Sequence, residues 1–158
     1  MTIHEEWLEK VRTFKNELLN MGLQVLLPPP SQEELAIEYI EIHPGKSIKG
    51  KIPFQEKFKN PMGTYQGGFL AAAVDDHFGP LSYLSAERPC TTLSLNITFL
   101  KPFVEKMDHC FIEAEVIQKT KSFIFMRAVI TNSQGENLAH AESHVAILSD
   151  EQLQRLKK

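Results

Sequence analysis

The order of elements predicts an α+β domain: one long antiparallel sheet wrapped around a single central helix, with an extra helix at the N-terminus. Three observations carry that expectation. Residues from Phe69 to about Ala86 read as a helix that is apolar nearly all round, the pattern of a helix inside a core. No second segment has that character. Strand-like alternation brackets it, two runs before and four after.

Ile3 to Met21 reads as an amphipathic helix, with Trp7, Val11, Phe14, Leu18 and Leu19 at three- and four-residue steps. Gly22 suits its end, and Pro28, Pro29 and Pro30 form a stiff extended linker. Ser31, with Glu34 three residues on, has the pattern that opens a short helical turn. Leu35 to about Ile42 alternates as a strand, and the slip between Tyr39 and Ile40 suggests a bulge. Pro44-Gly45 marks a turn into a second strand, Lys46 to Phe54, completing a hairpin. Positions 60–68 are dense in turn residues. In the central helix Pro80 cannot donate to the carbonyl of Asp76, so a kink or weakening is expected at Gly79-Pro80. The remaining strands are Thr91 to Lys101, with Leu93, Leu95, Ile97 and Phe99 on one face, then Cys110 to Gln118, Ser122 to Thr131 and Asn137 to Leu148. Asp150 to Lys158 suits a short helix. The organisation is therefore an N-terminal helix and linker (1–30), a main domain (31–150) and a tail (151–158).

Composition narrows the function. The chain has 158 residues, 42% hydrophobic and 23% charged, the profile of one globular domain. A net charge of -3 gives no electrostatic reason to expect nucleic acid or an anionic membrane as partner. The N-terminus carries Glu5, Glu6 and Glu9 rather than an apolar run, and no segment suits a membrane helix. Cys90 and Cys110 have no metal-type spacing, so a reduced cytoplasmic setting is expected.

Two adjacent carboxylates, Asp75 and Asp76, interrupt the apolar helix. A carboxylate there is costly unless paired or used; the ordinary alternative is that it faces solvent or bridges at the helix surface. The helix starts at Gly67-Gly68. Bare N–H groups at a helix start favour negative charge, including that on a carbonyl oxygen under attack, although simple turn geometry also explains two glycines. Gly67 and Asp75 are about 12 Å apart along a helix axis. One carbonyl cannot touch both, so joint action requires two chains. His140 and His144 share a strand face with Glu142 nearby, a weak metal pattern. His77 follows the two aspartates, but helix neighbours diverge and do not coordinate jointly.

The run Asn60-x-x-Gly63-x-x-Gln66-Gly67-Gly68, then Asp75, resembles the hot-dog thioesterases of the phenylacetate-degradation (PaaI-like) and Them2-like type. Their pattern has His where this chain has Gln66. The likeness runs from about Leu35 to Leu148, and Thr91 to Pro102 is similar to that family's strand after the helix. The resemblance implies a hot-dog fold and acyl-CoA thioester hydrolysis without metal or organic cofactor. It implies a homodimer, and a homotetramer as a dimer of dimers. By the same resemblance Asp75 is nucleophile or general base, the Gly67 amide polarises the carbonyl, and Asn60 helps place the carbonyl or sulfur. Thr92 brings a hydroxyl across the interface; Gln66, Gly68 and Asp76 lie at the substrate. Glutamine hydrogen-bonds but cannot shuttle protons near neutral pH. A non-catalytic acyl-CoA binding or sensing protein is the alternative; a hydratase on the same fold needs a catalytic histidine, and none stands in the loop before the central helix.

Overall fold

The computed structural model describes residues 1–157. Helix α1 (Ile3–Asn20) begins at a capping box, in which the Thr2 hydroxyl accepts from the Glu5 N–H and the Glu5 carboxylate accepts from the Thr2 N–H. It buries Trp7, Val11 and Leu18, while Leu19 turns to solvent against expectation. Gly22 adopts positive φ after it. Helix α2 (Pro30–Glu34) starts two residues earlier than a Ser31 cap predicts. Pro29 stands at its N-cap, and the Ser31 hydroxyl donates instead to Asp76 Oδ1 at 3.2 Å. Strands β1 (Glu38–His43) and β2 (Ser47–Pro53) form the hairpin, with a register shift between Tyr39 and Glu41 where the alternation slips.

Helix α3 (Gly67–Ala86) is followed by β3 (Cys90–Phe99), β4 (His109–Lys119), β5 (Phe123–Thr131), β6 (Asn137–Ile147) and helix α4 (Asp150–Leu156). The expected tail helix stops at Leu156, and Lys158 lies outside the described residues. The six strands make one antiparallel sheet in the order β1-β2-β4-β5-β6-β3. Ala73, Val74, Phe78 and Leu81 of α3 are fully buried in one core with Ile48, Ile52, Ile112, Ile124, Ile130 and Leu138 of the strands. This is the sheet-around-a-helix arrangement expected of the hot-dog fold.

Two expectations need correction. The helix, expected to kink or weaken at Gly79-Pro80, runs on through to Ala86. The carbonyl of Asp76, which Pro80 cannot serve, accepts a 2.6 Å hydrogen bond from the buried Tyr39 hydroxyl. A phenol from β1 thus supplies the donor that the proline lacks, satisfying two buried groups at once. Nor is α3 enclosed on every side. Gly68, Phe69, Ala72, Asp75 and Gly79 are exposed, Phe69 at 40%. Beside this stripe runs β3, an edge strand. A register shift between Thr92 and Ser94 turns Leu93 outward, where it is 58% exposed, instead of inward with Leu95 and Ile97. The edge strand therefore carries exposed apolar side chains, and an unpaired edge of that kind invites strand pairing.

Candidate active site

The loop before α3 is built around Asn60. Its side-chain oxygen accepts from the N–H groups of Met62 (2.9 Å) and Thr64 (3.1 Å), and its amide donates to Thr64 Oγ1 at 2.8 Å. The Gly63 N–H returns to the Asn60 carbonyl at 2.9 Å, with Gly63 at φ 78°. This knot delivers the chain to Gln66, the N-cap of α3. The Gln66 N–H donates to the Phe58 carbonyl at 2.8 Å and its own carbonyl accepts from Phe69 at 3.0 Å; its side chain caps nothing. Gly67 and Gly68 are the first two helical residues. Among the described residues neither N–H has an acceptor, so both remain available to an incoming oxygen.

Phe99, at the end of β3, lies directly over Gly67. A Cβ built on Gly67 would stand 2.9 Å from the Phe99 ring. A cleft of about 360 Å³ opens there, flanked by Asn60, Thr64, Gly67, Phe99 and Lys101. Phe99 is 49% exposed, and its place over the amide was missed in the sequence, where the alternation put it with the inward residues. The only hint was its position as the last residue before a Leu-Lys-Pro exit.

Two turns along the helix, Asp75 projects from the exposed stripe. Its Oδ1 accepts a 3.1 Å hydrogen bond from the Thr92 hydroxyl of β3. Thr92, whose hydroxyl the resemblance implies is contributed across an interface, bonds Asp75 of its own chain, because β3 runs alongside α3 as the outermost strand. Asp76 faces away from Asp75. Its Oδ1 takes the Ser31 hydroxyl, and its Oδ2 is buried without a hydrogen-bond partner among the described residues. Burial raises the Asp76 carboxyl above the ordinary aspartate range, Ser31 opposes that, and the charge of Asp75 adds to it. The two neighbouring acids therefore sit in separate environments, and Asp75 is the one open to solvent.

His77 is wholly buried. Its Nδ1 is 2.7 Å from the Ala73 carbonyl, to which it donates, and Nε2 abuts Gly50 with no partner among the described residues. Burial depresses its pKa to about 4, so the ring is neutral at pH 7. His140, Glu142 and His144 lie on the exposed face of β6, and no group among the described residues is arranged to hold a metal. One chain thus brings Asn60, Gln66, Gly67 and Gly68 together at the helix start and Asp75 with Thr92 two turns away. It does not bring those two groups together, and Asp76 belongs to neither.

Residues 62–139 match the model of the Thioesterase superfamily. No curated protein sequence matches the chain. Among solved structures, the chain resembles AziG of S. sahachiroi at 16% identity and a TM-score of 0.73, with 76% of this chain and 97% of that one covered. It resembles the E. coli PaaI protein from the phenylacetic acid degradation operon at 15% identity and a TM-score of 0.73, covering 90% and 94%. Similar too is smu.793 from Streptococcus mutans UA159, a structure bound to acetyl CoA, at 15% identity and a TM-score of 0.68, covering 80% and 94%.

Proposed function

We propose, from the premise that this hot-dog chain is a PaaI-like member of the Thioesterase superfamily, that it hydrolyses acyl-CoA thioesters with Asp75 as the catalytic carboxylate. The observation that carries the reading is the Asp75–Thr92 pair on an open stripe of α3, two turns from a helix start with two free glycine amides. The family match and a like-folded protein that holds acetyl CoA support a CoA thioester as the substrate.

The working unit is a homodimer joined along β3. Within one chain about 12 Å of helix separates Gly67 from Asp75. Thr92 marks the acid at one end of β3, and Phe99 marks the amide at the other. A two-fold axis near the middle of that strand, at Leu95 and Asn96, carries each end of one strand to the opposite end of the other. Asp75 then faces Gly67 of the partner subunit, and the bare faces of α3 and β3 are covered. A tetramer would pair two such dimers.

In this site Asp75 takes a proton from water while the water oxygen attacks the thioester carbonyl. The oxyanion accepts a hydrogen bond from the partner's Gly67 N–H at the positive end of α3. The intermediate collapses, the carbon–sulfur bond breaks, and the proton held by Asp75 passes to the departing thiolate. The products are a carboxylic acid and coenzyme A. Thr92 fixes the carboxylate rotamer. Asn60 acts by holding the loop, since its oxygen and one amide hydrogen are already engaged. Direct attack by Asp75, through an anhydride, uses the same residues. A single turnover in ¹⁸O-water tests an anhydride opened by water at the Asp75 carbonyl, because that route alone leaves label in Asp75.

The deciding measurement is thiol release from a panel of acyl-CoA esters. Asp75→Asn is expected to lower kcat by about 10²–10⁴, the usual contribution of a positioned base. Full activity in that variant would end the proposal. Gln66 keeps a second reading in play, a non-catalytic acyl-CoA binder, because the loop has no residue that shuttles protons there. Tight binding with no thiol release by the parent protein would select it.

A further inference from the structure

Asp75, Gly79 and Tyr83 follow one another at four-residue steps, so they share one face of α3. From the Asp75 end this face runs into a groove of about 310 Å³, walled by Phe14 and Leu18 of α1, Val25 and Leu26 of the linker, Gly79 and Tyr83, with Thr92 on its rim. The wall is held from behind by a separate apolar cluster of Leu18, Leu23 and Leu153, which ties α1, the linker and α4 together. Leu26 offers its side chain to the opening at 75% exposure.

Three polar side chains of this lining are already used. The Ser82 hydroxyl donates to the Gly79 carbonyl at 2.7 Å, the Cys90 thiol to the Arg88 carbonyl at 3.4 Å, and Thr92 to Asp75. What remains is mostly apolar, the Tyr83 hydroxyl excepted. Gly79 is anomalous: glycine is unfavourable inside a helix, yet a Cβ there would meet nothing within 4 Å. Its missing side chain leaves the floor of the groove open. Beyond the tilted Phe14 and Tyr83 rings, whose centroids are 3.6 Å apart, lies a second, mostly apolar cavity of about 210 Å³ against Trp7 and Val11, with Gln32 and Asp76 also in its lining. Gly79, Phe14, Leu27 and Tyr83 border both.

We propose that this groove receives the acyl chain of the substrate, that the chain is a medium-length aliphatic one, and that Gly79 and the Phe14–Tyr83 pair set its length. The proposal rests on the thioesterase reading, because it is the Asp75–Thr92 pair at the rim that fixes where the carbonyl sits. A methylene takes about the space of a water molecule, about 30 Å³, so the open groove has room for no more than about ten carbons. The N-terminal helix and linker thereby acquire a task, as the outer wall of an acyl site.

The test compares acetyl-, octanoyl- and dodecanoyl-CoA. The parent should prefer octanoyl- to acetyl-CoA in kcat/KM. Gly79→Leu fills the floor and should lower the octanoyl-to-acetyl ratio by roughly tenfold or more, since each methylene excluded from an apolar pocket costs roughly 10- to 200-fold. Phe14→Ala joins the two cavities and should raise the dodecanoyl-to-octanoyl ratio; it serves equally if the leucine variant does not fold. Ratios unchanged within about twofold in a folded variant overturn the assignment. The same ester series titrated calorimetrically into Asp75→Asn protein, with and without the second substitution, judges the groove without turnover. If the parent releases no thiol, hydrolysis fails as a function, and chain-length-dependent affinity still decides where the acyl group binds.

Discussion

Thr92 sets the geometry of the acid, and its contribution is measurable. Thr92→Val keeps the shape and removes the hydroxyl. Loss of a hydrogen bond to a charged group, about 1.5–3 kcal/mol, should lower kcat/KM roughly ten- to a hundredfold with little change in stability. Steady-state kinetics alongside urea unfolding checks both halves. His77 governs acid stability rather than chemistry. Its folded pKa is about 4, against about 6.5 for an unfolded histidine. Above pH 6.5 both states are neutral there and no pH dependence arises. As pH falls from 6.5 toward 4, the unfolded chain binds a proton that the folded chain refuses, and stability drops by up to about 3 kcal/mol. His77→Leu should remove that component, seen as a smaller fall in urea midpoint between pH 7 and pH 5 than in the parent. At this scale, the sequence singled out Asp75 as a carboxylate on the central helix and Gly67 at that helix's start, and the two residues take those places. It did not reveal that Asn60 spends its carboxamide on its own loop, or that Thr92 meets Asp75 within one chain. Those depend on how β3 lies against α3, and local periodicity carries no information on that.

The strands and helices were readable because their patterning is strong. α1, the β1–β2 hairpin with its slip at Tyr39, and the alternating β4, β5 and β6 all lie within a few residues of their expected places. The misreadings came from side chains that act between elements. Ser31 looked like a cap but serves Asp76, and the kink or weakening expected at Pro80 left out the donor that Tyr39 supplies. Tyr39→Phe tests that joint. It leaves the Asp76 carbonyl buried and unbonded, which should cost about 1–3 kcal/mol, measured by chemical denaturation. Crosspeak loss confined to residues 76–80 in an amide NMR spectrum would place the damage in α3.

For the molecule as a whole, the decisive feature is the bare edge of β3 beside the open stripe of α3. The sheet order could not be read from the sequence, since pairing β3 with β6 is a long-range choice that propensity does not encode. Leu93→Lys puts a charge on this edge, a common device against strand pairing. It should shift the protein toward monomer in light scattering and remove thioesterase activity in parallel; an active monomer would contradict the shared site. The backbone at Gln66, φ -66° and ψ 127°, is already the conformation that tolerates a following proline, and Gly67 is the first helical residue, where proline fits once Phe99 gives way. Gly67→Pro therefore deletes one N–H while sparing the helix. That protein and Asp75→Asn should each be inert alone, yet co-refolded in equal amounts they should regain about a quarter of parental turnover, because every mixed pair assembles one undamaged half from each parent.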